Sequence, residues 1–319
     1  FLVDWTFPAL ALLIVALHSF ANRFAREMTL RLLIKRQFEH YLSPPLIQRL
    51  QQDPSLLKLG GERRELTLLF CDVRGFTTIS EQFKDSPEGL VELINEFLTP
   101  MTGTILDNNG TIDKYMGDAI MAFWNAPVDV SNHPRIACEA AINMMSALEV
   151  LNQDLIGSGR IVDPLKIGIG LNTGDVTVGN LGSEQRFDYS CLGDAINLGA
   201  RLEGLSKAYG VPIIIGEATH NSFDQPPGGA EIVLLDRVIV KGKTIPVAIY
   251  GIIPHENFAT NWCADHNAFM GLVGHESWVE AESALEQLKT LENYPVELLE
   301  QAVYRTENKI SQERQMTTK

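Results

Sequence analysis

The sequence has few cysteines and no excess of positive charge. Its four cysteines are scattered along 319 residues, and no spacing between them suggests a disulfide framework. We therefore predict a reducing compartment for the folded part. Lys and Arg total 26 against 40 Asp and Glu, which gives a net charge of −14. This balance argues against a nucleic-acid partner, whose phosphate backbone requires a basic surface. A nucleotide ligand needs only a local cluster of cations.

Long apolar runs are also rare, and the main one lies at the start. Trp5 to Phe20 is nearly all apolar, and Phe1 to Val3 extend the run to the roughly 20 residues that a membrane span requires. Residues 22–36 are rich in Lys and Arg, as is typical of the cytoplasmic side. The run does not resemble a signal peptide, because no basic stretch precedes it and no small-residue cleavage site follows it. We predict a transmembrane helix at residues 1–21; a buried amphipathic helix is the alternative.

The rest of the chain divides into three parts. Residues 22–61 are predicted to form a juxtamembrane helix and linker, broken at Ser43-Pro44-Pro45, and Gly60-Gly61 marks the next boundary. Strands and helices alternate over residues 62–254, and residues 255–319 form a helical C-terminal extension expected to pack on that domain. The fold class is α/β: an α+β sandwich of a mixed, mainly antiparallel sheet with flanking helices, preceded by the transmembrane helix. Asn172-Thr173-Gly174 is predicted to be a hairpin turn.

Because the chain opens inside an apolar run and lacks an initiator Met, we also expect a preceding part.

Two aspartates stand at the edges of apolar runs. Asp72 ends one strand-like run, and Asp118 begins another just after Gly117. Carboxylates side by side on neighbouring strands can hold divalent cations, a common arrangement for chemistry at a phosphate. Gly75 and Gly117 permit close approach of a ligand to the backbone. The alternative is that these acids merely solubilise strand ends.

Three motifs in series carry a family resemblance. They are FCDVRGFT at residues 70–77, KYMGD at 114–118 and GDAINLGARLE at 193–203. Together they resemble the catalytic domain of class III nucleotide cyclases, over about residues 62–254. The resemblance implies a ferredoxin-like core and an adenylate cyclase that converts ATP to 3′,5′-cyclic AMP and pyrophosphate.

The resemblance also assigns roles to individual residues. Asp72 and Asp118, helped by the Val73 carbonyl, would ligate two Mg²⁺ or Mn²⁺ ions per active site. Asn197 would orient the ribose, and Arg201, one helical turn further, would stabilise charge on the α-phosphate.

The contact to the terminal phosphates is less well determined. Lys241 resembles the residue that makes this contact; Lys243 and a plain solvated turn are the alternatives.

Base selection is assigned to Lys114 and Ser190. A lysine at the position of Lys114 can donate to purine N1, as adenine requires, and a hydroxyl at Ser190 can accept from the adenine amino group. Serine departs from the residues common in this family, so strict selectivity for ATP over GTP stays open. A guanylate or mixed-specificity cyclase and a non-catalytic nucleotide-sensing domain are the alternatives.

The resemblance further implies a homodimer with shared active sites. One protomer would supply the metal aspartates and the other the base-reading residues, Asn197 and Arg201, in a twofold arrangement. The apolar start resembles that of bacterial membrane-anchored cyclases. It implies the cell (inner) membrane as the location, with a cytoplasmic catalytic domain.

Overall fold

The computed structural model describes residues 13–26, 28, 60–183, 185–238, 246–254, 262–291, 293–304 and 306. The chain divides into two units, Phe1–Leu56 and Leu57–Lys319. In the first unit, residues 13–26 form helix α1, whose side chains are exposed. Within the described ranges, no helix has the length and apolar character needed to cross a bilayer. Residues 1–12 of the predicted span and most of the predicted linker lie outside those ranges.

The second unit alternates strands and helices, as the sequence predicts. Its strands are β1 (Gly60–Val73), β2 (Thr111–Met116), β3 (Ala119–Trp124), β4 (Ile167–Gly182), β5 (Phe187–Leu192), β6 (Ile213–Gly216), β7 (Glu231–Val238) and β8 (Val247–Ile253). Its helices are α2 (Phe76–Gln82), α3 (Pro87–Asp107), α4 (His133–Gly157), α5 (Asp194–Tyr209), α6 (Glu217–His220), α7 (Cys263–Gly274), α8 (Trp278–Leu288) and α9 (296–304).

One sheet organises this unit. Its eight described strands run in the order β2-β3-β1-β4-β6-β8-β7, and β5 pairs with β4 outside that path. Only the β4–β6 pairing is parallel among them; the other pairings are antiparallel. The predicted mixed, mainly antiparallel sheet is therefore confirmed. β1 lies between β3 and β4, so its end is held from both sides.

Alternate residues of the central strands point to opposite faces of the sheet and pack into two separate hydrophobic cores. Leu69, Cys71 and Val73 of β1 face a core covered by α3 and α4. Leu68 and Phe70 face the opposite side, together with residues from β5 and the start of α5. This alternation follows from the two-residue period of a strand. It directs Asp72, two residues after Phe70, to the α5 side of the sheet.

The predicted hairpin at Asn172-Thr173-Gly174 is wrong. β4 runs straight through these residues and pairs with β1 from Gly60 to Val73. Their polar groups find partners without a turn, because Asn172 Nδ2 donates to the Ala195 carbonyl at 2.9 Å. Thr173 Oγ1 is hydrogen-bonded to Thr67 Oγ1 at 2.9 Å and to Thr219 Oγ1 at 3.0 Å. A long partner strand and satisfied side chains thus outweigh local turn propensity.

The described part of the C-terminal extension packs on the sheet domain. Residues of α7, α8 and α9 share a buried core with α5, β6, β7 and β8. His266 ties this layer to the sheet, with Nδ1 2.6 Å from the Tyr294 hydroxyl and Nε2 2.9 Å from the Leu234 carbonyl.

Helix α5 lies unusually close to β4. A Cβ added to Gly170 would come 2.1 Å from the backbone nitrogen of Glu203 and 2.5 Å from the Gly199 carbonyl oxygen. Only glycine at this position allows that approach, which places the α5 residues over the end of β1.

We expect Gly170→Ala to destabilise the fold by about 3 kcal/mol or more, because a methyl group cannot fit against fixed backbone atoms. Gly103→Ala is the matched control, since nothing lies within 4 Å of its added Cβ in helix α3. Replacing a helical glycine by alanine should stabilise by roughly 0.5–1 kcal/mol. Urea unfolding of both variants measures the difference, and equal stabilities would refute the close-packing account.

Candidate active site

Asp72 and Asp118 meet at one end of the sheet. Asp72 is the penultimate residue of β1, and Asp118 lies in the tight turn between β2 and β3, after Gly117 with φ of 70°. β1 pairs with β3 in a register that sets Cys71 opposite Ile120. The next residues of β1 and the preceding residues of the hairpin are therefore neighbours, and both carboxylates are half-buried.

The electrostatics of this pair are unfavourable without a counter-charge. Burial raises the pKa of Asp118 to about 6, and the Asp72 carboxylate adds to the rise through its charge and a hydrogen bond between the side chains. The backbone N–H groups of Asp118 and Val73 act in the opposite direction. Within the described ranges, Asp118 Oδ2 is buried and accepts no hydrogen bond. An acceptor oxygen left in this state is suited to a cation.

The donor set fits a hard divalent cation. Carboxylate oxygens are the preferred ligands of Mg²⁺, which keeps several waters and is often held by one or two protein carboxylates plus substrate phosphates. Across the part of the chain that the structure describes, no group of three or more His, Cys, Asp or Glu is arranged for a metal. The pair Asp72 and Asp118 is thus an incomplete site that further ligands would complete.

Arg74 connects this end of β1 to α5, a role the sequence reasoning missed. Its Nη1 lies 2.8 Å from Glu203 Oε1, and its Nη2 donates to the Glu203 carbonyl at 2.7 Å and to the Ser206 hydroxyl. Burial raises the pKa of Glu203, whereas Arg74 lowers it. The contact fixes the segment that follows Asp72 against the helix that carries Asn197 and Arg201.

The structure brings Lys114 and Ser190 to one acidic side chain, Asp113. Ser190 Oγ donates to Asp113 Oδ2 at 2.7 Å, and Lys114 Nζ lies 3.1 Å from Asp113 Oδ1. Asp113 thus links the two predicted base-reading residues, and its contact with Ser190 spans 77 positions of sequence. Asp113 was not predicted; its place beside Lys114 on strand β2 was the only available sequence clue.

Of the remaining predicted site residues, Asn197 and Arg201 lie on α5. Asn197 is exposed and Arg201 half-buried on α5, one turn apart, while Leu198 and Leu202 form the buried face of that helix. Lys241 and Lys243 lie outside the described residues. The roles of all the predicted site residues, including the Val73 carbonyl, stay predictions.

Comparison with known proteins defines the class. Residues 61–253 match the family described as the adenylate and guanylate cyclase catalytic domain. This match covers more than half of the chain, and the chain belongs to that family.

Two of the similar proteins are named as adenylate cyclases. Adenylate cyclase from Anabaena cylindrica is 36% identical over 195 residues, 60% of this chain and 38% of that protein. Adenylate cyclase 1 from Rhizobium meliloti is 35% identical over 191 residues, 60% of this chain and 28% of that protein. The chain therefore spans less than two fifths of the length of either relative.

Solved structures give the same picture of the fold. The adenylyl cyclase CyaB from P. aeruginosa is 33% identical, with a TM-score of 0.55, and the guanylyl cyclase Cya2 is 33% identical, with a TM-score of 0.54. In each case the match covers 62% of this chain and 98% of the other chain.

We expect Asp118→Asn to stabilise the metal-free protein. The raised pKa means that the folded state holds the Asp118 proton more tightly than the unfolded chain does. The charged side chain therefore lowers stability increasingly from about pH 4 to 6, and fully above pH 6. Removing the charge should add about 1 kcal/mol at pH 8, after allowance for solvent screening, and almost nothing at pH 4.

Urea unfolding at the two pH values, with and without Mn²⁺, measures this effect. Mn²⁺ should stabilise the wild-type protein and reverse the difference, because it binds the folded state preferentially. Asp163→Asn, at an exposed carboxylate, is the control. A variant that is less stable at pH 8 without metal would contradict the assignment.

Proposed function

We propose that this chain is an adenylate cyclase that converts ATP to 3′,5′-cyclic AMP and pyrophosphate. Family membership supports cyclase chemistry, and the observation that carries the choice of adenine is the cluster of Lys114 and Ser190 around Asp113. A lysine ammonium donates to adenine N1, and a serine oxygen can accept from the adenine amino group.

The chain's own residues divide the chemical work. Asp72 and Asp118, with the Val73 carbonyl, would hold two Mg²⁺ or Mn²⁺ ions, which would favour ionisation of the ribose 3′-hydroxyl and neutralise the triphosphate. Asn197 orients the ribose so that its 3′-oxygen faces the α-phosphorus. Arg201 stabilises the negative charge that develops on the α-phosphate as pyrophosphate leaves.

A homodimer with shared sites is part of the proposal. The base-reading cluster adjoins apolar side chains that are largely exposed in the single chain: Tyr115 at 47%, Met116 at 49% and Leu192 at 63%. A second copy would cover these side chains, and twofold symmetry would repeat the contact at two equivalent sites. Each site would then combine Asp72 and Asp118 of one protomer with Lys114, Ser190, Asn197 and Arg201 of the other.

The alternatives are a guanylate or mixed-specificity cyclase and a non-catalytic nucleotide-sensing domain. The first has a specific basis, since Cya2, a guanylyl cyclase, is as similar to this chain as CyaB. The phosphate contact by Lys241 or Lys243, the membrane anchor at residues 1–21, and the location at the inner membrane with a cytoplasmic catalytic domain also stay predictions.

We expect the full chain with Mn²⁺ to convert ATP to cyclic AMP, and Asp72→Asn to lower kcat at least 100-fold. Loss of a carboxylate ligand should weaken the binding of the ion that activates the attacking hydroxyl. Chromatography of the products measures both nucleotide and pyrophosphate. Asp163→Asn again serves as the control. Full activity of Asp72→Asn would refute the metal assignment, and cyclic GMP as the main product would support the guanylate alternative.

Mixing two inactive variants tests the shared site. Asp72→Asn and Arg201→Ala should each be nearly inactive as homodimers. A heterodimer pairs both lesions in one site and leaves the other intact, so mixed chains should regain up to about half of the wild-type activity per heterodimer. Tagged chains report heterodimer formation independently. Heterodimers without recovered activity would show that each protomer carries a complete site.

A further inference from the structure

The side chain of Asp113 is completely buried, with 0% of its surface exposed, although it carries a carboxylate. It lies between the two residues to which base recognition is assigned. Its Oδ2 accepts from Ser190 Oγ at 2.7 Å, and its Oδ1 is 3.1 Å from Lys114 Nζ. Lys114 itself is 45% exposed, so its ammonium group is accessible to a ligand.

The hydrogen bonds to Asp113 determine which of the two base-reading residues can donate and which can accept. An ionised carboxylate only accepts hydrogen bonds, and a serine hydroxyl has a single proton to donate. Ser190 gives that proton to Asp113, so its oxygen can offer only lone pairs to a third group. Lys114 has three donors and loses at most one to Asp113.

We propose that Asp113 is a positioning residue that sets base selectivity by fixing Ser190 as a hydrogen-bond acceptor and Lys114 as a donor. This inference rests on the proposed cyclase function and names how the same site distinguishes its substrates. Asp113 acts through Ser190 and Lys114 without contacting the base.

The polarity of the pair matches one purine edge and opposes the other. Adenine presents an amino donor at position 6 and an acceptor at N1, which meet the Ser190 oxygen and the Lys114 ammonium. Guanine presents an acceptor at position 6 and a donor at N1, so both contacts would be repulsive. Without Asp113, Ser190 could rotate its proton outward and donate to the guanine oxygen.

Other groups near Asp113 do not change this direction. Cys191 Sγ lies 4.0 Å from Asp113 Oδ2 and is a weak donor at most. Burial raises the pKa of Asp113, as does the charge of Asp188, whereas Ser190 and Lys114 lower it. Acid therefore protonates Asp113 more readily than an exposed aspartate, and a protonated Asp113 can donate to Ser190 and release the serine proton.

The first test is Asp113→Asn, measured as the ratio of kcat/KM for ATP to that for GTP. The amide oxygen should face the Lys114 ammonium, and the amide nitrogen should then donate to Ser190. Releasing the serine proton toward the base should lower the ATP:GTP ratio about tenfold, the effect of one altered hydrogen bond. A purely structural role would lower both activities together and leave the ratio unchanged.

A double-mutant cycle isolates the action through Ser190. In a Ser190→Ala background no hydroxyl remains to reorient, so Asp113→Asn should change the ratio much less than in the wild-type background. Ser190→Thr keeps a hydroxyl and should retain most of the wild-type ratio. Equal changes in the two backgrounds would refute the proposal.

A pH series with the wild-type chain needs no Asp113 variant and so covers the case in which that variant fails to fold. The ATP:GTP ratio should fall as the pH is lowered, and it should stay nearly flat in Ser190→Ala. Titration of Asp118 affects both nucleotides and cancels in the ratio. A wild-type ratio that is independent of pH down to the onset of unfolding would count against the proposal.

Binding of 3′-deoxy-ATP and 3′-deoxy-GTP with Mn²⁺ gives the same ratio without turnover, because these analogues lack the attacking hydroxyl. A wild-type chain that prefers the ATP analogue but does not cyclise ATP would contradict the proposed function alone. A wild-type preference for ATP that Asp113→Asn leaves intact would contradict this inference alone. A wild-type preference for GTP would overturn both.

Discussion

The repulsion between two carboxylates at the end of one sheet is the constraint on which the rest of the structure depends. Strand pairing on both sides of β1 holds Asp72 beside Asp118, although burial and mutual charge make that position unfavourable. The sheet supplies the stability that offsets this cost, and the proposed function would use the two carboxylates to hold a cation. Such trade-offs between stability and function are common at active sites.

The cluster of Asp113, Lys114 and Ser190 also contains a buried carboxylate, but here the neighbouring groups belong to the protein itself. Asp113 is as unfavourable to bury as any carboxylate, and the charge of Lys114 and the hydrogen bond from Ser190 offset part of that cost. In the proposed function, the aspartate pair requires a cation from outside the protein, whereas the Asp113 cluster is held in place by protein groups before the nucleotide binds. Arg74, bound to Glu203 and Ser206, connects β1 next to the first site with α5. The close contact at Gly170 keeps that helix at a fixed distance from the sheet.

Local sequence patterns predicted most of the helices and strands. The features that they did not predict depend on contacts between residues far apart in the sequence. The start of α3 at Pro87, the β2–β3 hairpin around Gly117 and the end of α5 at Gly210 follow from local preferences for helix ends and turns, which neighbouring residues determine. The turn predicted at Asn172 fails because its polar partners lie far away in sequence. Asp113 and Arg74 were missed for the same reason: their importance comes from contacts with Ser190 and Glu203, 77 and 129 positions away.

The proposed function requires Asp72 and Asp118 to form a two-metal nucleotide site. Electron paramagnetic resonance of Mn²⁺ bound together with 3′-deoxy-ATP measures this directly. We expect two Mn²⁺ ions per site, about 4 Å apart and therefore magnetically coupled. The coupled signal should disappear in Asp72→Asn and persist in Asp163→Asn. An unchanged coupled signal in Asp72→Asn, or a wild-type chain that binds the nucleotide with no Mn²⁺, would contradict the account.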